Sequence, residues 1–260
     1  MNISSTPIAM KTTIFSVLLL MLLFLPARSR GQNYPLPKGS LLVETRALPS
    51  KARAGRALLL WMINPSRNPR ETGEPYTCPE ETRGSYYSGP TRVSLVDTGT
   101  GRIINTLEIR QEYMEGADSF DIPYRIHDGY YHVRGVARGK EGKPAIMWLR
   151  DYNGDGRAQE FALYDALACM GLPTTLIGYS ESKDRVIQYA VEVEVFEGRG
   201  RSQRTTYWPD YLFSRQPQRP GYWQYEIDYR GRAGSLDKWE IRYNRQRERF
   251  EGSVRYIMGE

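Results

Sequence analysis

The chain has 260 residues, enough for one large β domain or two small ones with a substantial core. Charged residues make up 25% of it and the formal net charge is +6, an ordinary balance that excludes wholesale disorder. Its 19 tyrosines favour strands, because aromatic residues are enriched there, so the composition predicts an all-β protein.

The first 29 residues have the pattern of a secretory signal peptide. Lys11 supplies a positive charge, Thr12–Leu25 is an apolar run, and Ala27–Ser29 places small residues where a signal peptidase cuts. A helix over this run would extend about 21 Å, short of the roughly 30 Å hydrocarbon core, so a membrane anchor is not expected. We therefore predict cleavage of residues 1–29 and a secreted or periplasmic protein of residues 30–260, without a transmembrane helix.

Two strands are predicted next, over Ser40–Leu48 and Arg56–Asn64. The second is apolar throughout, which predicts burial on both faces of a sheet. Pro65–Pro90 is polar and rich in proline and glycine, so we expect a long loop without regular structure.

The chain has two cysteines, Cys78 within this predicted loop and Cys169. In an exported protein two cysteines can form a disulfide, which here would stabilise the fold by about 4 kcal/mol. Two separate thiols are the alternative, since the sequence does not give their distance in space.

Further along, Thr91–Arg110 has the alternation of a hairpin around a turn at Asp97–Gly101. Two more strands, Lys143–Asp151 and Gln159–Leu167, flank a polar stretch in which oxygen-bearing residues alternate. Asp151, Asn153 and Asp155 would face the inside of a tight loop, the arrangement that a hard cation such as Ca²⁺ prefers.

This stretch resembles the D-x-[DN]-x-D-G calcium loops of EF-hands, dockerins and integrin-type repeats over about ten residues. The resemblance implies that the carbonyl of Arg157 is a backbone ligand. It departs at the closing positions, where Ala162 and Gln159 replace acids, so Glu160 is the closing acid available. We predict a strand–loop–strand site for structural calcium; a hairpin whose Asp and Asn side chains bind their own backbone is the alternative.

Motifs of catalysis are missing from the sequence. The two histidines, His127 and His132, match no zinc spacing, and "GYSES" (178–182) lacks the second glycine of a serine-hydrolase elbow. Paired carboxylates cannot be located from the sequence. A non-catalytic protein is therefore expected.

The last third of the chain alternates most clearly. Arg185–Phe196 is predicted to be one strand, with Ile187, Tyr189 and three valines on one face. Tyr222–Arg230 and two later segments alternate in the same way, which predicts an antiparallel sheet with one wet face. The whole is expected to be a single β-rich domain, a sandwich or an open barrel-like sheet with long loops and little helix, and 185–260 to be a C-terminal sub-sheet.

Two tryptophans are candidates for stacking on a ligand ring, because their flat faces suit sugars. Trp208 precedes a proline and is expected to be exposed. Trp223 alternates with Tyr225 and Tyr229, so a position in the core is the stronger interpretation for it.

These observations predict an exported β-rich protein with a structural or ligand-binding role. The alternative is a carbohydrate-binding module or a glycoside-acting enzyme, with a carbohydrate or another envelope component as partner. Nucleic acid is not expected as a partner, because export separates the two and the basic cluster Arg242–Phe250 is interleaved with acids.

Overall fold

The structure is a computed structural model, and from Tyr34 onward its described residues form one compact unit. It describes residues 34–49, 55–68, 82–83, 86–111, 117–122, 125–126, 145–164, 174–197, 202–209, 212–232 and 234–258. The predicted signal peptide, Cys78 and Cys169 lie outside these ranges. No helix within them has the length and apolarity needed to cross a bilayer.

The described residues are mainly strands, with two short 3₁₀ turns at Leu212–Ser214 and Arg230–Arg232. The strands are β1 (Ser40–Ala47), β2 (Arg56–Ile63), β3 (Ser66–Asn68), β4 (Thr82–Arg83), β5 (Tyr86–Asp97), β6 (Ile103–Glu108), β7 (Ser119–Ile122), β8 (Arg125–Ile126), β9 (Glu160–Tyr164), β10 (Thr174–Ser180), β11 (Arg185–Gln188), β12 (Val191–Glu197), β13 (Ser202–Thr205), β14 (Tyr222–Asp228), β15 (Ser235–Asn244) and β16 (Arg249–Met258). The prediction of an all-β fold with little helix is confirmed.

Most strands pair antiparallel, in three main sheets. The first has the order β1-β2-β5-β3, with β6 and β7 also on β5; the second is β11-β10-β9; the third is β13-β12-β16-β15-β14. The pair β12–β16 is parallel, and β4 pairs with β8 alone. One main core contains side chains from all three main sheets, as expected for a sandwich of packed open sheets.

β2 is buried on both faces, as its sequence predicts. Leu58, Leu60 and Met62 enter the main core, whereas Leu59 and Trp61 belong to a second apolar cluster behind the sheet. Within the second cluster the Trp61 indole N–H has a hydrogen-bond partner, because it donates to Ser94 Oγ at 2.9 Å.

The hairpin of β5 and β6 is also confirmed, with Asp97 and Gly101 at its turn. The predicted unstructured loop Pro65–Pro90 is wrong in part, because β3, β4 and the first residues of β5 lie within it. β5 continues beyond the hairpin to pair with β3, which no periodicity in this Pro- and Gly-rich stretch indicates.

The single strand predicted over Arg185–Phe196 is two strands in different sheets. β11 pairs with β10, whereas β12 pairs with β13 and β16. The chain changes sheet at Tyr189, so the buried face shifts phase there: Val186 is buried, and Ile187 only partly. The C-terminal sheet therefore begins at Val191.

Candidate functional site

The candidate calcium loop is folded around its own acidic side chains. Asp151 Oδ1 accepts from the N–H groups of Gly154 and Asp155 at 2.8 and 3.1 Å, and its Oδ2 accepts from Gly156 N–H at 2.9 Å. Asn153 Oδ1 accepts from Asp155 N–H at 2.9 Å. Gly154 and Gly156 have φ of +74° and +88°, which only glycine adopts without strain. These bonds are those expected of a self-capped hairpin turn, and they leave calcium binding a prediction.

Glu160, the predicted closing acid, is completely buried at the start of β9. Its Oε2 accepts from Tyr152 N–H at 3.0 Å and its Oε1 from Asn153 Nδ2 at 2.9 Å. Burial, helped by the nearby charges of Asp155 and Asp151, raises the pKa of this carboxyl to about 9. Without a cation, Glu160 is therefore protonated at neutral pH.

The other predicted ligands lie in the same loop. Burial, together with the charge of Asp151, raises the pKa of Asp155, while Arg157 opposes this shift. The Arg157 side chain is a cation paired with Glu181, and because it has no acceptor atom, the carbonyl is the ligand that Arg157 can offer. Among the described residues, no three His, Cys, Asp or Glu side chains converge as metal ligands.

The predicted strand Lys143–Asp151, which leads into the loop, is wrong for its described part. From residue 145 it forms isolated bridges and no continuous strand, and in one of these Arg150 and Glu160 exchange backbone hydrogen bonds of 2.7 and 3.0 Å. The N–H groups of residues 146 and 147 donate instead to the Glu44 carboxylate of β1, at 2.8 and 3.3 Å. A side chain from a distant strand thus holds this segment, which periodicity does not reveal.

The loop packs against the turn that precedes β14. A Cβ on Gly154 would lie 2.6 Å from the Pro220 carbonyl oxygen, and one on Gly221 would lie 2.9 Å from the Asn153 carbonyl oxygen. The Tyr152 ring packs on Phe213 with centroids 4.7 Å apart. The backbones of the loop and the C-terminal sheet therefore approach each other directly.

The two tryptophans proposed for ligand stacking are both buried. Trp208 is 8% exposed, so the expectation of an exposed ring is wrong; it packs on Phe213 and Phe250 with centroids 5.1 Å from each. Trp223 is 1% exposed and belongs to the core, as its alternation indicates. The 3₁₀ turn that carries Phe213 covers Trp208, a tertiary contact that the following proline does not predict.

A cleft of about 370 Å³ opens beside the loop, and we call it the Trp148 cleft. Its lining comes from the segment before the loop, from β9 and from the 3₁₀ turn with the residues after it: Ile146, Trp148, Arg150, Asp151, Tyr152, Ala162, Tyr164, Phe213, Ser214, Arg215, Gln216 and Pro217. The indole of Trp148 is 36% exposed there. Sequence reasoning missed this residue and Arg150, although their spacing of two is the signal of a shared face.

Two arginines of the cleft each lie over an aromatic ring. The guanidinium carbon of Arg150 is 4.3 Å from the Trp148 ring centroid, and that of Arg215 is 4.5 Å from the Tyr225 centroid. Such stacking holds the cation while leaving its in-plane donors available.

A second cavity, of about 400 Å³, lies on the wet face of the C-terminal sheet, and we call it the charged groove. Four glutamates, four arginines and two small residues line it: Glu192, Glu194, Glu240, Glu251, Arg204, Arg242, Arg247, Arg249, Gly252 and Ser253. Arg204 pairs with Glu192 at 3.1 Å, and Arg249 pairs with Glu192 and Glu251 at 2.7 and 3.0 Å. Its charges thus largely neutralise one another, as on an ordinary solvated sheet face.

Comparisons with known proteins give no relative for this chain: no protein-family model, no curated protein and no solved structure matches it. Function is therefore inferred from the geometry of the described residues.

Proposed function

We propose that this chain is an exported, non-catalytic ligand-binding domain whose site is the Trp148 cleft. The observation that carries the proposal is an exposed indole at the mouth of a cleft of about 370 Å³ with further aromatic lining. Concave sites are where proteins bind small molecules, and the lining of this one, more polar than apolar, suits a ligand with many hydroxyl groups.

A saccharide is the ligand class that this lining favours. Trp148 offers flat apolar surface beside the donors of Arg150 and Arg215, and a sugar ring presents both an apolar face and hydroxyl groups. The stacking residue is thus proposed to be Trp148, in place of the buried Trp208 and Trp223.

Glycoside hydrolysis is not part of the proposal, because it requires two carboxyl groups across the scissile bond. Asp151 is the one acidic residue among the described residues that line the cleft, and its oxygens accept three backbone hydrogen bonds from the loop.

We also propose structural calcium in the loop of Asp151, Asn153, Asp155, Arg157 and Glu160. Support comes from the charges of this loop: Asp151 raises the pKa of Asp155, and both raise the pKa of the buried Glu160, a repulsion that a cation would relieve. Because Asp151 and Tyr152 belong to both loop and cleft, calcium would stabilise one wall of the binding site.

Saccharide binding is tested by affinity electrophoresis of the purified protein through gels that contain single polysaccharides. We expect at least one polymer to retard the protein and Trp148→Ala to abolish the retardation. Tyr229→Ala is the matched control, since Tyr229 is 43% exposed and does not line the cleft. If no polymer retards the protein, or if both variants behave alike, the saccharide function is wrong.

Calcium binding is tested by calorimetric melting in millimolar calcium and in a chelator. Calcium should raise the melting temperature, and Asp151→Ala or Asp155→Ala should abolish the rise. Asp228→Ala, which removes an exposed acid from β14, should retain it. If calcium leaves the melting temperature unchanged, the calcium proposal is wrong and the loop is only a self-capped turn.

A further inference from the structure

The two arginines of the Trp148 cleft have no carboxylate partner in the protein part that the structure describes. Arg150 and Arg215 take part in no ion pair there, and the Arg215 Nε is buried without a hydrogen-bond acceptor among the same residues. The one acid beside them, Asp151, directs both carboxylate oxygens to N–H groups of its own loop. Two positive charges thus share the cleft with the single negative charge of Asp151, and neither forms an ion pair with it.

Both guanidinium groups are also held in place before any ligand arrives. Each stacks on an aromatic ring, at 4.3 Å for Arg150 and 4.5 Å for Arg215. The backbone of Arg150 is bridged to Glu160, and the Arg215 carbonyl accepts from the Trp223 indole N–H at 3.4 Å. Little side-chain entropy would therefore be lost when an anion binds.

We propose that the Trp148 cleft selects acidic saccharides, whose carboxylates bind Arg150 and Arg215 while a sugar ring packs against Trp148. This inference rests on the proposed saccharide-binding function and narrows it to uronate-type sugars. A planar carboxylate matches the fork of a guanidinium, and the bond is charge-assisted.

The charged groove is a poorer candidate for the same ligand, although it contains more arginines. Its Arg204 and Arg249 already bind glutamates at 2.7 to 3.6 Å, so an incoming carboxylate would have to displace them. The four glutamates of its lining would also repel an anion.

The test uses polygalacturonate and its methyl ester, two polymers with the same backbone that differ in carboxylate charge. Isothermal titration calorimetry should show that the wild-type protein binds the acidic form at least tenfold more tightly. Arg150→Gln and Arg215→Gln should each lower affinity for the acidic form about tenfold more than they lower affinity for the ester. Because Arg150 is exposed, its variant should fold even if Arg215→Gln does not.

Arg185→Gln is the matched control, since it removes the same charge from an exposed position on β11 outside the cleft. If Arg185→Gln weakens binding as much as the cleft variants, general charge attraction explains the binding and the inference is wrong. If the acid and the ester bind equally and Trp148→Ala abolishes both, saccharide binding survives and the acidic selectivity does not. If neither these polymers nor any other saccharide binds, both proposals are wrong.

Discussion

The Trp148 cleft and the charged groove are cavities of similar volume, about 370 and 400 Å³, and both are lined with arginine. The groove lies on a regular sheet face, where cross-strand neighbours bring arginine and glutamate together. The cleft is built from irregular chain, and its arginines lie on aromatic rings. The partners of each charged side chain therefore indicate anion binding better than the number of charges in a cavity does.

The supports of the two cavities differ as well. Beneath the cleft lie a buried carboxyl, Glu160, and a cluster of aromatic rings around Trp223. The groove is lined by side chains of β12, β13, β15 and β16 that are partly or fully exposed. We expect substitutions around the cleft to cost more stability than substitutions in the groove.

The largest effect is expected for Trp223→Ala, which removes a 1% exposed ring from below the cleft. The free energy of unfolding should fall by about 3–5 kcal/mol, because a large cavity is left in the core. Arg242→Ala in the groove is the contrast and should change it by less than about 0.5 kcal/mol. Urea denaturation measures both changes in the free energy of unfolding. If the two losses are equal, side chains beneath the cleft contribute no more to stability than side chains of the groove.

The next largest effect is expected for the pH dependence of stability that comes from Glu160. Burial raises its folded-state pKa to about 9 from an ordinary 4.5, so the folded protein binds more protons than the unfolded chain between these values. The contribution to stability is greatest below pH 4.5 and is lost as pH rises towards 9. Glu160→Gln should reduce this dependence of the unfolding free energy on pH when unfolding is measured in the presence of a chelator.

For Glu251 in the groove, the pH dependence of stability has the opposite sign to that of Glu160. Hydrogen bonds from Asn244, and then the Arg249 side chain, lower the pKa of Glu251. Its contribution is therefore present above pH 4.5 and is lost as pH falls through the lowered value. If Glu160→Gln and Glu251→Gln alter the pH dependence of the unfolding free energy over the same pH range, the direction of one of the two pKa shifts is wrong.

A smaller effect is expected for Gly178→Ala in β10, below the loop. The new Cβ would lie 2.7 Å from Glu160 Cγ and 3.0 Å from a Tyr189 ring carbon, which predicts a loss of about 1–3 kcal/mol. Gly231→Ala is the control, because a Cβ added there would have no neighbouring atom within 4 Å among the described residues. Thermal melting that shows no difference between the two would mean that Glu160 can move at little cost.

The smallest effect is expected for Arg249→Gln in the groove, which removes ion pairs to Glu192 and Glu251. Partly exposed ion pairs are worth less than about 1 kcal/mol and weaken with salt. Unfolding measured at two salt concentrations checks this. A loss above about 2 kcal/mol that persists in high salt would show that the groove is a rigid network rather than a solvated face.

Much of the fold follows from local pattern. The continuous apolar run of β2 predicts its double burial, and the alternation of β14 to β16 predicts a sheet with one wet face. The break at Tyr189 could not be predicted, because the same alternation continues in sequence while the chain changes partners.

Of the candidate site, the sequence by itself determined the tight loop, since Asp151, Asn153 and two glycines are enough to form its self-capped turn. Only the tertiary structure decided that Trp208 is buried, that Trp148 is exposed, and that Arg150 and Arg215 line one cleft. Exposure and charge pairing depend on which distant segments meet, such as Glu44 with residues 146–147. Local spacing carries no information about those contacts.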